Sequence, residues 1–185
     1  MKYVKMLGLL AVAAAALMAF AGTASATITS PEGTPYDGPM SATSSNTSLD
    51  GSVDIACSSS TVSGEVNNGE TEGEITTLDF TECGNDTVKV VANGKLTILE
   101  KKVYSKSTVV TVTLHRTIFG FPITTHCEYA TPVTKTHVGN LTGPNTISLI
   151  GAVIPQKPTD SACGANAEWT GSYTINTPEA GIYSD

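Results

Sequence analysis

Beyond its first 26 residues the chain has no long apolar run, few aromatics and little charge; aromatic residues make up 6% of the whole and charged residues 15%. Each scarcity excludes something. No later stretch approaches the ~18 consecutive apolar residues that cross a bilayer as a helix, so no integral membrane segment is expected after the leader. Clustered Lys and Arg are also missing, which argues against nucleic acid or an anionic membrane surface as a partner. The one small basic group, Lys101, Lys102 and Lys106, reads as a solvated strand edge. Recognisable catalytic patterns are lacking too. There is no G-x-S-x-G elbow, no H-E-x-x-H and no paired-carboxylate motif, and the acidic residues fall mostly in turns and on polar strand faces. The expectation is a protein that is not an enzyme.

What is present begins with a leader. Lys2 and Lys5 form a positive start, Met6 to Phe20 an unbroken apolar stretch, and Ala24-Ser25-Ala26 a small-residue cleavage site. Together they predict a helical secretory signal peptide over residues 1–26 and a secreted, extracellular or cell-surface product. The residue directly after the cut is Thr27 and not a cysteine, so a lipid anchor is not expected. The remaining 159 residues suit one domain, and their eight basic and seventeen acidic side chains give a net charge of −9.

Four cysteines follow the leader: Cys57, Cys83, Cys127 and Cys163. In an oxidising compartment an even count favours disulfides, and four cysteines allow three connectivities. Pairing in sequence order, Cys57 with Cys83 and Cys127 with Cys163, is the expectation adopted. Each bridge would contribute about 3 to 4 kcal/mol by closing its loop. A zinc site of four thiolates would need close C-x-x-C pairs, and the chain has none. A nucleophilic cysteine would need a thiol kept reduced.

Thr, Ser, Gly and Val dominate the rest, with apolar and polar residues alternating over short runs broken by Gly, Pro and Asn. That pattern predicts an all-β fold of nine or ten short strands, as an antiparallel β-sandwich or, alternatively, a closed β-barrel. Residues 27–52 read as a loosely ordered segment with one short strand, and residues 53–185 as a single sandwich domain. Within it, Val53, Ile55 and Cys57 alternate with polar or small neighbours, and Trp169, Gly171, Tyr173 and Ile175 share the inward face of the last strand. One long strand is expected over Val103 to Thr117, and another over Val133 to Gly139. Ala92-Asn93-Gly94 predicts a three-residue hairpin loop pairing Val90 with Leu96 and Val88 with Ile98.

Three histidines, His115, His126 and His137, recur at intervals of eleven. Turns about Gly120-Phe121 and Thr131-Pro132 would set them in a row across adjacent strands about 4.8 Å apart, where they could hold zinc or copper. A plain polar surface is the competing reading. Phe119-Gly120-Phe121-Pro122 puts two aromatics on a turn, either as exposed anchors for a partner or as caps over a pocket between sheets. Asn46, Asn85 and Asn140 each begin an N-x-[ST] sequon, a pattern that arises readily by chance in a Thr-rich chain.

The segments Ala26-Thr27-Ile28, Val53-Asp54-Ile55-Ala56-Cys57, Leu78-Asp79-Phe80-Thr81-Glu82-Cys83 and Glu168-Trp169-Thr170-Gly171-Ser172-Tyr173-Thr174-Ile175 give the chain a resemblance. It resembles small secreted bacterial β-proteins of the alkane-oxidation activator family and exported proteins of actinobacteria. The resemblance implies a disulfide-bonded extracellular protein linked to hydrophobic substrates or to surface and biofilm matrix. The leading expectation is therefore a non-enzymatic surface or matrix interaction protein with an extracellular partner of unknown identity. The alternatives are a binder of small hydrophobic ligands and a metal-binding or hydrolytic secreted protein.

Overall fold

A computed structural model describes residues 27–51, 54–67, 69–155 and 163–184. The expected leader and Val53 lie outside the described residues. Fifteen strands follow in chain order: β1 Ile28–Thr29, β2 Gly38–Ser44, β3 Thr47–Asp50, β4 Ile55–Cys57, β5 Ser59–Val66, β6 Glu72–Thr81, β7 Thr87–Ala92, β8 Lys95–Leu99, β9 Lys102–Lys106, β10 Val109–Ile118, β11 Phe121–Ala130, β12 Thr136–Gly143, β13 Thr146–Pro155, β14 Asn166–Thr177 and β15 Tyr183–Ser184. The all-β expectation holds.

Eight strands close on themselves in the order β13-β12-β9-β8-β6-β5-β2-β14 and back to β13, with every pairing antiparallel. Closure removes the edges of an open sheet. Alternation along each strand decides which residues fill the barrel. Ala42, Ile75, Leu78, Ile98, Val103, Val138, Ile147, Leu149, Tyr173 and Ile175 are buried, while Glu74, Asp79, His137, Asn140, Glu168, Ser172 and Thr174 are exposed. An apolar inside and polar outside is the reverse of a lipid-embedded barrel.

The two architectures foreseen from the sequence meet in β14. Its second half lies in the barrel wall, pairing Thr174 with Thr43 of β2, whereas its first half pairs Glu168 to Gly171 with Asp50 to Thr47 of β3. β4 extends that sheet, and the three-stranded sheet β11-β10-β7 lies over it as a second layer. Leu49, Ile55 and Ala167 meet Val112, Leu114, Cys127 and Tyr129 there, around a residual cavity of only about 10 Å³. The molecule is thus a closed barrel, and the sandwich layering is confined to one end of it.

Both disulfides form as expected, Cys57–Cys83 and Cys127–Cys163. The first ties β4 to the segment after β6, and the second ties β11 to the residues before β14. Between barrel and sandwich sits Trp169, its ring 5.6 Å from Phe80 and 6.1 Å from Tyr173. Burial pushes the Tyr173 phenol up to about 12, so it stays protonated and donates to Ser60 Oγ at 2.9 Å. Ser60 in turn donates to the Asp79 carbonyl at 2.9 Å, which joins β14, β5 and β6 in one chain of bonds.

Four local expectations are corrected. The segment 27–52 is not loose over its described part, 27–51, because β2 is a barrel stave, paired with both β5 and β14. The strand expected over Val103 to Thr117 is two strands in different sheets. It breaks where Ser107 takes φ 58° and the Thr108 amide bonds Thr131 Oγ1 at 2.9 Å, an arrangement that alternation cannot reveal. The strand foreseen over Val133 to Gly139 starts later, at Thr136, leaving Val133 83% exposed. Finally, β7 and β8 do not pair. β7 bonds to β10 and β8 to β6 and β9, so Val90 lies opposite Val110 and Leu96 opposite Ser105 and Gly73. Gly94 does adopt the left-handed conformation, at φ 69°, but for a non-local reason: a Cβ there would strike the Lys106 carbonyl and the Thr108 side chain.

Candidate interaction site

The hairpin of β10 and β11 is laddered along its whole length, from Val109↔Ala130 to Ile118↔Phe121, and turns through Phe119 and Gly120. β7 accompanies β10 only as far as Thr113↔Thr87. From Leu114 onward the hairpin is a two-stranded ribbon reaching about 20 Å beyond the three-stranded sheet, six residues at ~3.4 Å each.

Period-2 alternation carries the core face outward along this ribbon. Val110, Val112 and Leu114 are buried, and two and four residues on come Arg116 and Ile118, opposite Ile123 and Phe121. Nothing among the described residues covers that face near the tip. Ile118 is 48% exposed, Ile123 41%, Phe121 72% and Phe119 95%. The opposite face, with His115, Thr117, Pro122 and Thr124, is mostly polar. Residues 117–125 carry no charge.

Asp86 braces the base of the ribbon. It accepts the His115 amide at 2.9 Å and two bonds from Arg116 Nη1 at 2.8 and 2.9 Å. Partial burial pushes the Asp86 carboxyl up, but the His115 amide and the Arg116 guanidinium outweigh it and hold the carboxyl below its usual range. The turn itself is of type I′, with φ 52° at Phe119 and 85° at Gly120. Glycine suits that conformation. A bulky aromatic does not, because its Cβ crowds the backbone in the left-handed region.

The histidines do not converge. The hairpin turns about Phe119-Gly120, one residue earlier than the register that would set His115 against His126. His115 therefore lies opposite Thr124 and His126 opposite Thr113. His126 Nδ1 shares a hydrogen bond with Thr113 Oγ1 at 3.0 Å. His137 belongs to β12 in the barrel wall, where its ring stands 5.5 Å from that of Tyr104. Among the described residues no group of three or more His, Cys, Asp or Glu is placed to hold a metal ion.

The barrel lumen keeps two small apolar cavities of about 60 and 30 Å³, one lined by Met40, Val62, Leu96 and Ile175 and the other by Leu78, Val103, Leu149 and Trp169. Neither approaches the ~150 Å³ that admits a molecule the size of benzene. Phe119 and Phe121 line neither cavity. Between the two layers the residual cavity measures only about 10 Å³, and neither phenylalanine lines it. Of the basic group, Lys101 and Lys102 are exposed at the β8–β9 turn, while Lys106 bonds Glu72 at 2.6 Å. That bond, with Lys95 assisting, lowers the Glu72 carboxyl below its usual range. The sequon residues Asn46, Asn85 and Asn140 are all exposed. Alternation had marked the core of this hairpin, but the strain at Phe119 became visible only with the turn type.

No family model, curated protein or solved structure matches the chain.

Proposed function

We propose that this is a secreted, non-enzymatic protein of the cell surface or extracellular matrix, and that it engages its partner through the tip of the β10–β11 hairpin. One observation carries the reading: Phe119 is 95% exposed and sits at φ 52°, a conformation costly for a bulky residue. Neither packing nor the turn requires phenylalanine there. A contact with something outside the molecule would account for it. Ile118, Phe121 and Ile123 extend the same apolar surface, and the two disulfides suit an oxidising, extracellular compartment. The resemblance to secreted proteins associated with hydrophobic substrates and matrix agrees with such a contact surface. A small-ligand binder is less well supported, since the lumen cavities measure only about 60 and 30 Å³.

The test is to locate the protein in a producing culture and repeat the measurement with Phe119→Ser/Phe121→Ser. Wild type should stay with cells or matrix and the variant should move to the supernatant. If both partition alike, the hairpin is not the contact.

A further inference from the structure

β6 and β7 run side by side without a ladder over their middle. β6 pairs with β8 from Glu72 to Glu74, after which the Ile75 amide donates to the Gly94 carbonyl at 3.3 Å and Asn93 Nδ2 to the Thr76 carbonyl at 2.7 Å. Beyond that point β7 swings away to pair with β10. The two segments are closed again by the turn in which the Asp86 amide donates to the Cys83 carbonyl at 3.2 Å. Between them lies an open slot of about 480 Å³, with residues 76–80 as one wall and residues 87–90 as the other.

Both walls are strand edges. The Asn93 bond shows that the Thr76 carbonyl points away from β5. Past the bulge at Thr76, Ser60 of β5 bonds the Asp79 carbonyl, so Asp79 turns its backbone groups to β5 and, by alternation, Leu78 and Phe80 turn theirs into the slot. On the other side the His115 amide points to Asp86, so by the same alternation Thr113 and Thr111 bond Thr87 and Lys89 opposite them. Val88 and Val90 are left turning their amides and carbonyls into the slot. The Phe80 amide is taken by Asp79 Oδ1 at 3.0 Å, and among the described residues no backbone ladder reaches the others. Leu78, Phe80 and Val88 are buried, which gives the slot an apolar floor.

We propose that this slot binds an extended peptide segment as an added strand, a second interaction site independent of the hairpin. Amide and carbonyl groups alternating along two facing edges are matched by another extended backbone, which would run antiparallel to one wall and parallel to the other. The walls are five and four residues long, and Asn93 takes up the Thr76 end, so at ~3.4 Å per residue the slot holds about three residues of an added strand. Asn93 closes one end and the Cys83–Asp86 turn the other, which excludes edge-to-edge pairing of two long strands from two copies. The middle residue faces Leu78 and Val88 and should be apolar and β-branched. Its neighbours, near Thr77, Asp79 and Lys89, should be small and polar.

The probe is the blocked pentapeptide acetyl-Thr-Val-Thr-Val-Thr-amide, titrated into ¹⁵N-labelled protein. Saturable amide shifts are expected at Leu78, Val88 and Val90, and an analogue N-methylated within the peptide should bind at least tenfold more weakly. In the free protein the Leu78, Val88 and Val90 amides should exchange with solvent much faster than those of Thr77 and Asp79. Phe119→Ser/Phe121→Ser should leave peptide binding unchanged, which separates this site from the hairpin. Slow exchange of the slot amides, no saturable shift at millimolar peptide, equal binding of the N-methylated analogue, or loss of binding in the hairpin variant would each overturn the proposal.

Discussion

Replacing Phe119 with asparagine separates stability from binding at a single atom cluster. Asn-Gly is the preferred pair for a type I′ turn, whereas a bulky residue in the left-handed region costs roughly 1–2 kcal/mol. Phe119 is 95% exposed, so the folded protein loses almost no buried area when the ring is removed. The variant should therefore be more stable, by about 1 kcal/mol in urea denaturation and by roughly 2–4 °C in melting temperature for a domain of this size. Its effect on binding runs the other way. An aromatic ring of ~200 Å² at ~25 cal/mol/Å² contributes up to about 5 kcal/mol when fully buried in a partner. Half that burial is about 2.5 kcal/mol, roughly seventyfold in affinity for the cell or matrix fraction. Sedimentation with that fraction reads the second effect and denaturation the first. A Phe119→Asn protein that binds as well as wild type, or that is less stable, would refute the reasoning.

Other consequences can be checked on the same material. Replacing both cysteines of either disulfide with serine should cost about 3 to 4 kcal/mol in urea denaturation, since the loops closed span 26 and 36 residues. The Asp86 carboxyl is held low in the folded state, so its contribution is complete above the unfolded value of about 3.9 and is lost as pH falls further, through the folded value. Asp86→Asn should therefore flatten the acid limb of the stability profile and cost about 1 kcal/mol at neutral pH, the half-exposed Arg116 reducing the effect. Gly94→Ala should cost more than about 2 kcal/mol, because it adds a Cβ against the Lys106 backbone at φ 69°, and a neutral result would contradict the close approach. Stoichiometric zinc should leave the melting temperature unchanged, since His137 lies in the barrel wall away from the hairpin that carries His115 and His126.

What could be read from the sequence was local or periodic. The alternation of Trp169, Tyr173 and Ile175 identified the inward face of β14, and the sequential cysteine pairing matched the topology because each bridge ties a strand to a connecting segment 26 or 36 residues on. Non-local competition defeated the rest. Asn93-Gly94 looks like a hairpin turn, but β10 captures β7 and β6 captures β8, a choice made by long-range pairing. Ser107 and Thr108 break an apparently continuous strand by bonding to Pro132 and Thr131, twenty-odd residues away. The histidine row failed by one residue in the position of a turn. Because strand registers shift by two when a turn centre moves by one, the hydrophobic face survived that error and the opposition of His115 and His126 did not.

The hairpin's role is most directly measured by mixing purified protein with the envelope and matrix fraction of a producing culture and comparing sedimentation of wild type with Phe119→Ser/Phe121→Ser. Wild type should pellet with the fraction while the equally well-folded variant remains in solution. Equal sedimentation of two folded proteins would contradict the account.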